Sequence, residues 1–357
     1  MRYAAPLVLL LLAATLGSPP AARAAADEVE AVLAPLPVRG EFLLSSGYLA
    51  LTPSTANRIP GSEWGFDLRL TSANTFAGTW TVVDGLVNRT EPSSWDLEHL
   101  RRQPGDVFVA DGEVQRATAT IRRGFGRGEV FASIPVLSTG TAWADELIDE
   151  FHTDFDLGRA GRPAIFPDDH FIYMRAGDRE VVRSGAGETG PGDLLVGVKY
   201  VLPAYRGTSL ATEVVVELPT GDRAALFGSG SLDAGVNFLA SRRTERSTLF
   251  AAAGVAHLGE HAVLAVPERT IVAANLGYSR LLGRDDTAAV IQISVGDSPF
   301  RGLDWPELAE PLFQISLGLQ FLLDSGLVAH VALVENALHY GNSADFALQL
   351  GLSAFGR

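Results

Sequence analysis

A hydrolytic site built on a strand needs a base beside a nucleophile, for instance a histidine and a serine two residues apart so that both point the same way. The seven histidines supply no such pair: His330 is followed two residues on by Ala332, and His257 by Gly259. His152, Asp154 and Asp156 alternate so that an extended segment could gather a divalent cation. A calcium loop also needs a glycine at its sharp turn and a terminal glutamate, and neither is in place. Gly185-Ala186-Gly187-Glu188 lacks the strand-to-helix setting in which backbone amides cradle phosphate. With no cysteine in 357 residues, thiolate metal sites, disulfides and a lipid-modified cysteine are excluded. The chain therefore reads as a non-enzyme with no cofactor and no metal. The enzymatic alternative is a lipid-modifying site at a rim near His152 and Asp154.

The elements that would position such residues point to a different kind of protein. From Ser231 to Ala240, Leu232, Ala234, Val236 and Phe238 share one face, while Ser231, Asp233, Gly235 and Asn237 share the other. Glu63 to Thr71 sets Trp64, Phe66, Leu68 and Leu70 against Gly65, Asp67, Arg69 and Thr71. Asp193 to Leu202 repeats the pattern with Asp193, Gly197 and Lys199 on the polar side. Phe313 to Phe321 and Asp345 to Ser353 repeat it near the end, with Gln314, Ser316, Gly318 and Gln320 opposing apolar neighbours. A soluble sandwich turns long polar side chains to water, whereas Gly, Ser, Asn and Gln suit a crowded polar lumen.

The connections alternate too. Long segments run from 76 to 105 and from 141 to 191, with moderate ones near 220–229, 259–269, 298–310 and 336–342. Short turns fall between them, at 124–128, 203–207, 242–246, 283–286 and 324–325. These observations predict an all-β fold, a transmembrane antiparallel β-barrel of about 12 strands over residues 61–357, with short periplasmic turns and longer extracellular loops. Two strands are less clean. Asp106 to Arg123 changes polar parity between Glu113 and Arg116, which fits either a bulge or a strand standing above the membrane, and Ala251 to His257 does not reveal its lipid side.

Three segments fall outside this pattern. Residues 1–26 read as a secretory signal: Arg2, an apolar run from Ala4 to Leu16, the breakers Pro19 and Pro20, and small residues allowing cleavage after Ala24 or Ala26. Residues 27–60 contain Phe42, Leu43, Leu44 and Tyr48, too apolar for a disordered tail, and are expected either at the periplasmic base or as a plug in the lumen. Between Trp143 and Phe155, Trp143, Leu147, Ile148, Phe151 and Phe155 recur at helical spacing against acidic residues. An amphipathic helix is expected there, as a rim lid or a constriction formed by Trp143, Leu147, Phe151, His152, Asp154 and Phe155. The net charge of −14 grows more negative once Arg2 and Arg23 leave with the signal, which excludes nucleic acid as a partner.

Four segments carry a family resemblance: Phe151-His152-Thr153-Asp154-Phe155, the strand Gly192 to Tyr200, Glu217-Leu218-Pro219-Thr220-Gly221-Asp222, and Gly228 to Asp233. They resemble a domain-of-unknown-function family of Gram-negative outer-membrane β-barrels and are similar to outer-membrane transporters of aromatic-degradation pathways. The resemblance implies fold and location in the outer membrane and transfers no catalytic residue. Phe355 falls on the polar parity of the last strand, a departure from the usual terminal aromatic on the lipid face.

A 12-strand lumen is only modestly wider than the eight-strand case that side chains fill. The expected function is a narrow channel for diffusion of a small solute, partly obstructed by loop and N-terminal segments. Its lumen residues are Asp67, Arg69, Asp193, Lys199, Glu213, Glu217, Asp233, Asn237, Gln292, Gln314, Gln320 and His330. A sealed structural barrel in contact with lipid is the alternative. Expected partners are outer-membrane lipid, lipopolysaccharide, the barrel-assembly machinery and the solute.

Overall fold

A computed structural model describes residues 31–57, 64–87, 93–140, 164–166, 170–261, 263–264, 268–283, 286–336 and 341–356. The signal segment and the stretch from Trp143 to Phe155 lie outside these residues. The strands are β1 (Trp64–Gly78), β2 (Val107–Phe125), β3 (Gly128–Gly140), β4 (Phe171–Ala176), β5 (Arg179–Ser184), β6 (Thr189–Pro191), β7 (Leu194–Val201), β8 (Ser209–Leu218), β9 (Asp233–Arg243), β10 (Ser247–His257), β11 (Thr270–Leu281), β12 (Thr287–Gly296), β13 (Leu312–Leu322), β14 (Val328–Asn336) and β15 (Phe346–Gly356). Three short helices, α1 (Trp80–Val87), α2 (Leu97–Arg102) and α3 (Pro306–Ala309), lie in the loops.

Twelve strands, β1 to β3 and β7 to β15, pair antiparallel with their neighbours in chain order. The sheet closes where β1 meets β15, in register from Trp64↔Gly356 to Asn74↔Phe346. Closure satisfies the backbone of every wall strand from both sides, which is what a hydrocarbon surrounding demands. Both ends of the barrel segment, and the turns after β2, β7, β9, β11 and β13, lie at one mouth; the longer connections lie at the other.

Burial follows the alternation. Outward side chains such as Phe238, Leu249, Val272, Leu276, Ile291, Leu317, Leu333 and Leu350 are exposed, while their strand neighbours Asn237, Thr248, Asn275, Gln292, Ser316, Ala332 and Gln349 are buried. In water an apolar band of this extent would be an association surface; around a closed barrel it is the lipid face. At the turn mouth, exposed Trp64, Tyr200 and Tyr205 lie under the guanidinium groups of Arg123, Arg127 and Arg206, with centroid distances of 4.8, 5.9 and 5.2 Å. Aromatic rings capped by cations suit the membrane–water boundary.

Two ambiguities of the sequence resolve here. The β1–β2 register runs unbroken from Trp64↔Arg123 to Gly78↔Val109, so the parity change in β2 is no bulge. The upper part of β2 stands beyond the rim and is covered on both faces. Val107 and Val109 pack outward against Val82, Leu100 and Phe171, while Phe108, Ala110 and Val114 join the internal core. There β2 also pairs with β4, and the hairpin β4–β5 extends the sheet within what reads in the sequence as loop. In β10, Thr248, Phe250, Ala252 and Ala256 face inward.

Candidate functional site

Residues 31–57 of the N-terminal segment pack against inward-facing residues of the wall. Residues 31–33 pack beside Leu281, Ala288 and Val328 at the turn mouth. The chain then rises through Leu36, reverses in a turn over residues 43–47 near the loop mouth, and descends along β9 and β10 until Ala56 meets Ala211, Leu239 and Ala252. Leu36, Phe42, Leu44 and Tyr48 are buried. Wall glycines make room for this hairpin. A Cβ on Gly318 would lie 2.7 Å from the Leu36 side chain, and one on Gly254 would lie 2.7 Å from that of Leu51.

The rising limb is held by amides. Gln292 accepts from the Leu36 N–H at 3.1 Å and donates to the Leu36 carbonyl at 3.0 Å, pairing with the segment as a neighbouring strand would. Gln320 donates to the Ala34 carbonyl at 2.6 Å, and Arg69 donates to that of Pro37 at 2.9 Å. Gln314 lies against Gly40. A primary amide carries both a donor and an acceptor, so a wall of glutamines binds backbone without adding charge.

The turn is held by charge. Arg39 donates to the carbonyls of Ser46 and Tyr48 and lies 3.9 Å from both Glu41 and Glu217. Glu41 in turn pairs with Arg116 of the wall at 2.8 Å. The carboxylate of Asp233 accepts from the N–H groups of Leu49 (3.2 Å) and Gly259 (2.7 Å), tying the descending limb to a loop. Asp193 accepts from Gly221 and Ser229 and so braces the loop after β8. The roof over the turn is apolar: Tyr48 lies 4.8 Å from the His261 ring and 6.3 Å from that of Phe300, and buried Trp305 packs on Phe108.

A second charged system runs along the wall. Glu129, Lys199, Glu213 and Asn237 face one another in register across β3, β7, β8 and β9. Lys199 lies 3.3 Å from Glu129, each side chain 1% exposed. Arg122 extends the row, 3.4 Å from Glu129 and 2.6 Å from Asp67. Asp67 also accepts from Ser353, and His330 contacts Gln349 at 3.0 Å. Signs alternate along the row, so each charge has a counter-charge and the strands are braced.

Among the twelve lumen residues named from the sequence, the eleven on wall strands point inward, and Asp193 sits buried at the start of β7. The structure divides them. Arg69, Glu217, Asp233, Gln292, Gln314 and Gln320 meet the N-terminal segment, Asp67, Lys199, Glu213 and Asn237 form the row, with Glu213 also hydrogen-bonded by Ser54 of the segment, and His330 packs on the wall over Gly351. Arg116 and Arg122 escaped the sequence reading because the mixed parity of β2 hid their orientation, and Glu129 escaped it at the start of β3. The alternation Arg116-Ala117-Thr118-Ala119-Thr120-Ile121-Arg122 is the signal that could have found the two arginines. Trp143, Leu147, Phe151, His152, Asp154 and Phe155 lie outside the described residues.

Comparison with known proteins places this architecture. One family model matches residues 18–355, nearly the whole chain. The chain belongs to the family described as protein of unknown function (DUF3187). No curated protein matches it. Among solved structures, the COG4313 outer membrane channel from Pseudomonas putida F1 aligns over 86% of this chain and 100% of its own, with 10% identity and a TM-score of 0.50. The NanC porin aligns over 81% and 98% at 8% identity and a TM-score of 0.43. The toluene transporter TodX of P. putida aligns over 85% and 91% at 10% identity and a TM-score of 0.37. At such identities the first likeness speaks for the fold. This DUF3187 member is an outer-membrane β-barrel, as the resemblance in its sequence implied.

Proposed function

We propose that the protein is a narrow outer-membrane channel for a small solute, held shut at rest by residues 31–57 and opened when that hairpin leaves the lumen. The observation that carries this is the way the segment is held. It is fastened by side-chain amides and ion pairs rather than by strand pairing to the wall, so it can depart while the barrel stays closed on itself. Outer-membrane lipid contacts the apolar band and the aromatic rim. The direct test is a planar-bilayer recording of a variant lacking residues 36–55 beside the full chain, with heat-dependent gel mobility reporting the folded barrel. A folded variant with increased conductance supports the channel, and a folded variant that conducts no more than the full chain refutes the plug.

One observation favours a second reading, a sealed structural barrel. Leu36, Phe42 and Leu44 share a continuous apolar core with Val215, Phe250, Val290 and Ala332 of the wall, a join as intimate as a domain core. That reading predicts unfolding, rather than conduction, when the hairpin is removed.

A further inference from the structure

A cavity of about 120 Å³ lies between the hairpin and the loop-mouth ends of β11 to β13. Part of its wall comes from the hairpin, through Tyr48, Leu49 and Leu51, and the larger part from the barrel and its loops, through Ile271, Phe300 and Leu312. Dry cavities of comparable size lined by such residues accept a benzene-sized molecule. The lining is apolar with a few polar groups, the composition of a small-molecule site.

Three side-chain atoms of these lining residues are buried without a hydrogen-bond partner among the described residues: the Tyr48 hydroxyl, Oδ1 of Asn342, and Nε of Arg39, which lies 3.9 Å from the Glu41 carboxylate. The first can donate or accept and the second accepts. Leaving them unmatched is costly unless something bound there completes them. Charges at the cavity are already matched. Arg39 lies between Glu41 and Glu217, and Asp297 pairs with Arg301 at 2.5 Å and accepts from the Val272 N–H at 3.0 Å. A charged ligand would enter without a free counter-ion.

We propose that this cavity binds a small uncharged, mainly apolar molecule of about one six-membered ring that carries a single hydroxyl. The proposal deepens the channel reading by naming the class of solute. Because the site is shared between hairpin and wall, it exists only while the hairpin is docked, and occupancy favours the docked state.

The experiment is fluorine NMR of 4-fluorophenol with the full-length protein in micelles, empty micelles giving the partition background. The expected result is a bound resonance with the protein, lost in Ala273→Phe, which fills the cavity from β11, and bound about tenfold more weakly in Tyr48→Phe. Cyclohexanol should displace the probe, while benzoate and glucose should not. The proposal is overturned by a wild-type spectrum identical to that of empty micelles, by a resonance unchanged in folded Ala273→Phe, or by equal displacement with benzoate. The measurement needs no conduction, so a bound probe in a protein whose hairpin deletion stays silent would refute the channel and keep the site.

Discussion

Truncating Phe42 should open the channel, and the size of the effect follows from where that ring sits. Phe42 is 1% exposed at the top of the hairpin, within the apolar core shared with the wall. In the docked state Phe42→Ala loses the transfer free energy of the ring and leaves a cavity, together costing about 3–5 kcal/mol. Once the hairpin has left, the ring is in water and its removal costs little. Nearly all of the loss therefore falls on the closed state, and at about 1.4 kcal/mol per tenfold the ratio of open to closed should rise by roughly 100- to 4,000-fold. Adding Leu44→Ala contributes about 2–5 kcal/mol more, which brings openings into range even where the wild type is almost always shut. Trp80→Ala, at a side chain 63% exposed on the outer loops, serves as the control and should leave gating unchanged. The assay is single-channel open probability at fixed voltage, with heat-dependent mobility confirming the fold. A double variant that folds and opens no more often than wild type refutes the view that the hairpin's burial closes the lumen.

Three further outcomes are expected. Leu317→Arg, at a lipid-facing side chain 51% exposed, should destabilise the barrel by about 2–4 kcal/mol in urea unfolding from vesicles if the site lies at mid-membrane; no loss would mean the faces are assigned wrongly. Lys199→Ala strands Glu129 and should cost about 3 kcal/mol, the low end for a broken buried pair, because Arg122 remains 3.4 Å from the same carboxylate; a loss below about 1 kcal/mol would show that the row is not a brace. His261, whose Nδ1 accepts from the N–H groups of Val263 and Leu264, is pushed down by burial to about 4 from 6.5. Its neutral form is the one the docked roof favours, so that stabilisation is complete above pH 6.5 and is lost as pH falls through that window toward 4. Open probability should rise over this range in the wild type and stay flatter in His261→Asn, and identical profiles would rule the histidine out.

The strand faces are legible in the sequence because lipid imposes a uniform demand on one parity. Leu232-Asp233-Ala234-Gly235-Val236 declares its orientation without reference to any partner strand. Above the rim that demand ends, and β2 and the β4–β5 hairpin, covered on both faces, lose the signature that would have revealed them. The charge row required register as well as parity: Lys199 meets Glu129 and Glu213 only because three strands are set opposite one another at those residues. The grip on the hairpin lies further from sequence reasoning. Leu36 and Gln292 are separated by 256 positions, and a glutamine that binds backbone looks no different from one that faces water. The apolar content of Phe42 to Tyr48 demands burial, but the amides that receive the segment emerge only in the closed barrel.

Both limbs of the hairpin open onto the turn mouth, the same end at which β1 begins and β15 finishes, so the segment is a loop held by its two ends at one opening. The segment precedes every wall strand in the chain, and its fastenings run from Arg69 on β1 and Arg116 on β2 round to Gln320 on β13. No free end has to be threaded through the finished cylinder: the tip, Phe42 to Tyr48, lies farthest from that mouth and both limbs trail back to it. Emptying or filling such a cylinder is a movement of one loop through one mouth, with every hydrogen bond between wall strands left in place.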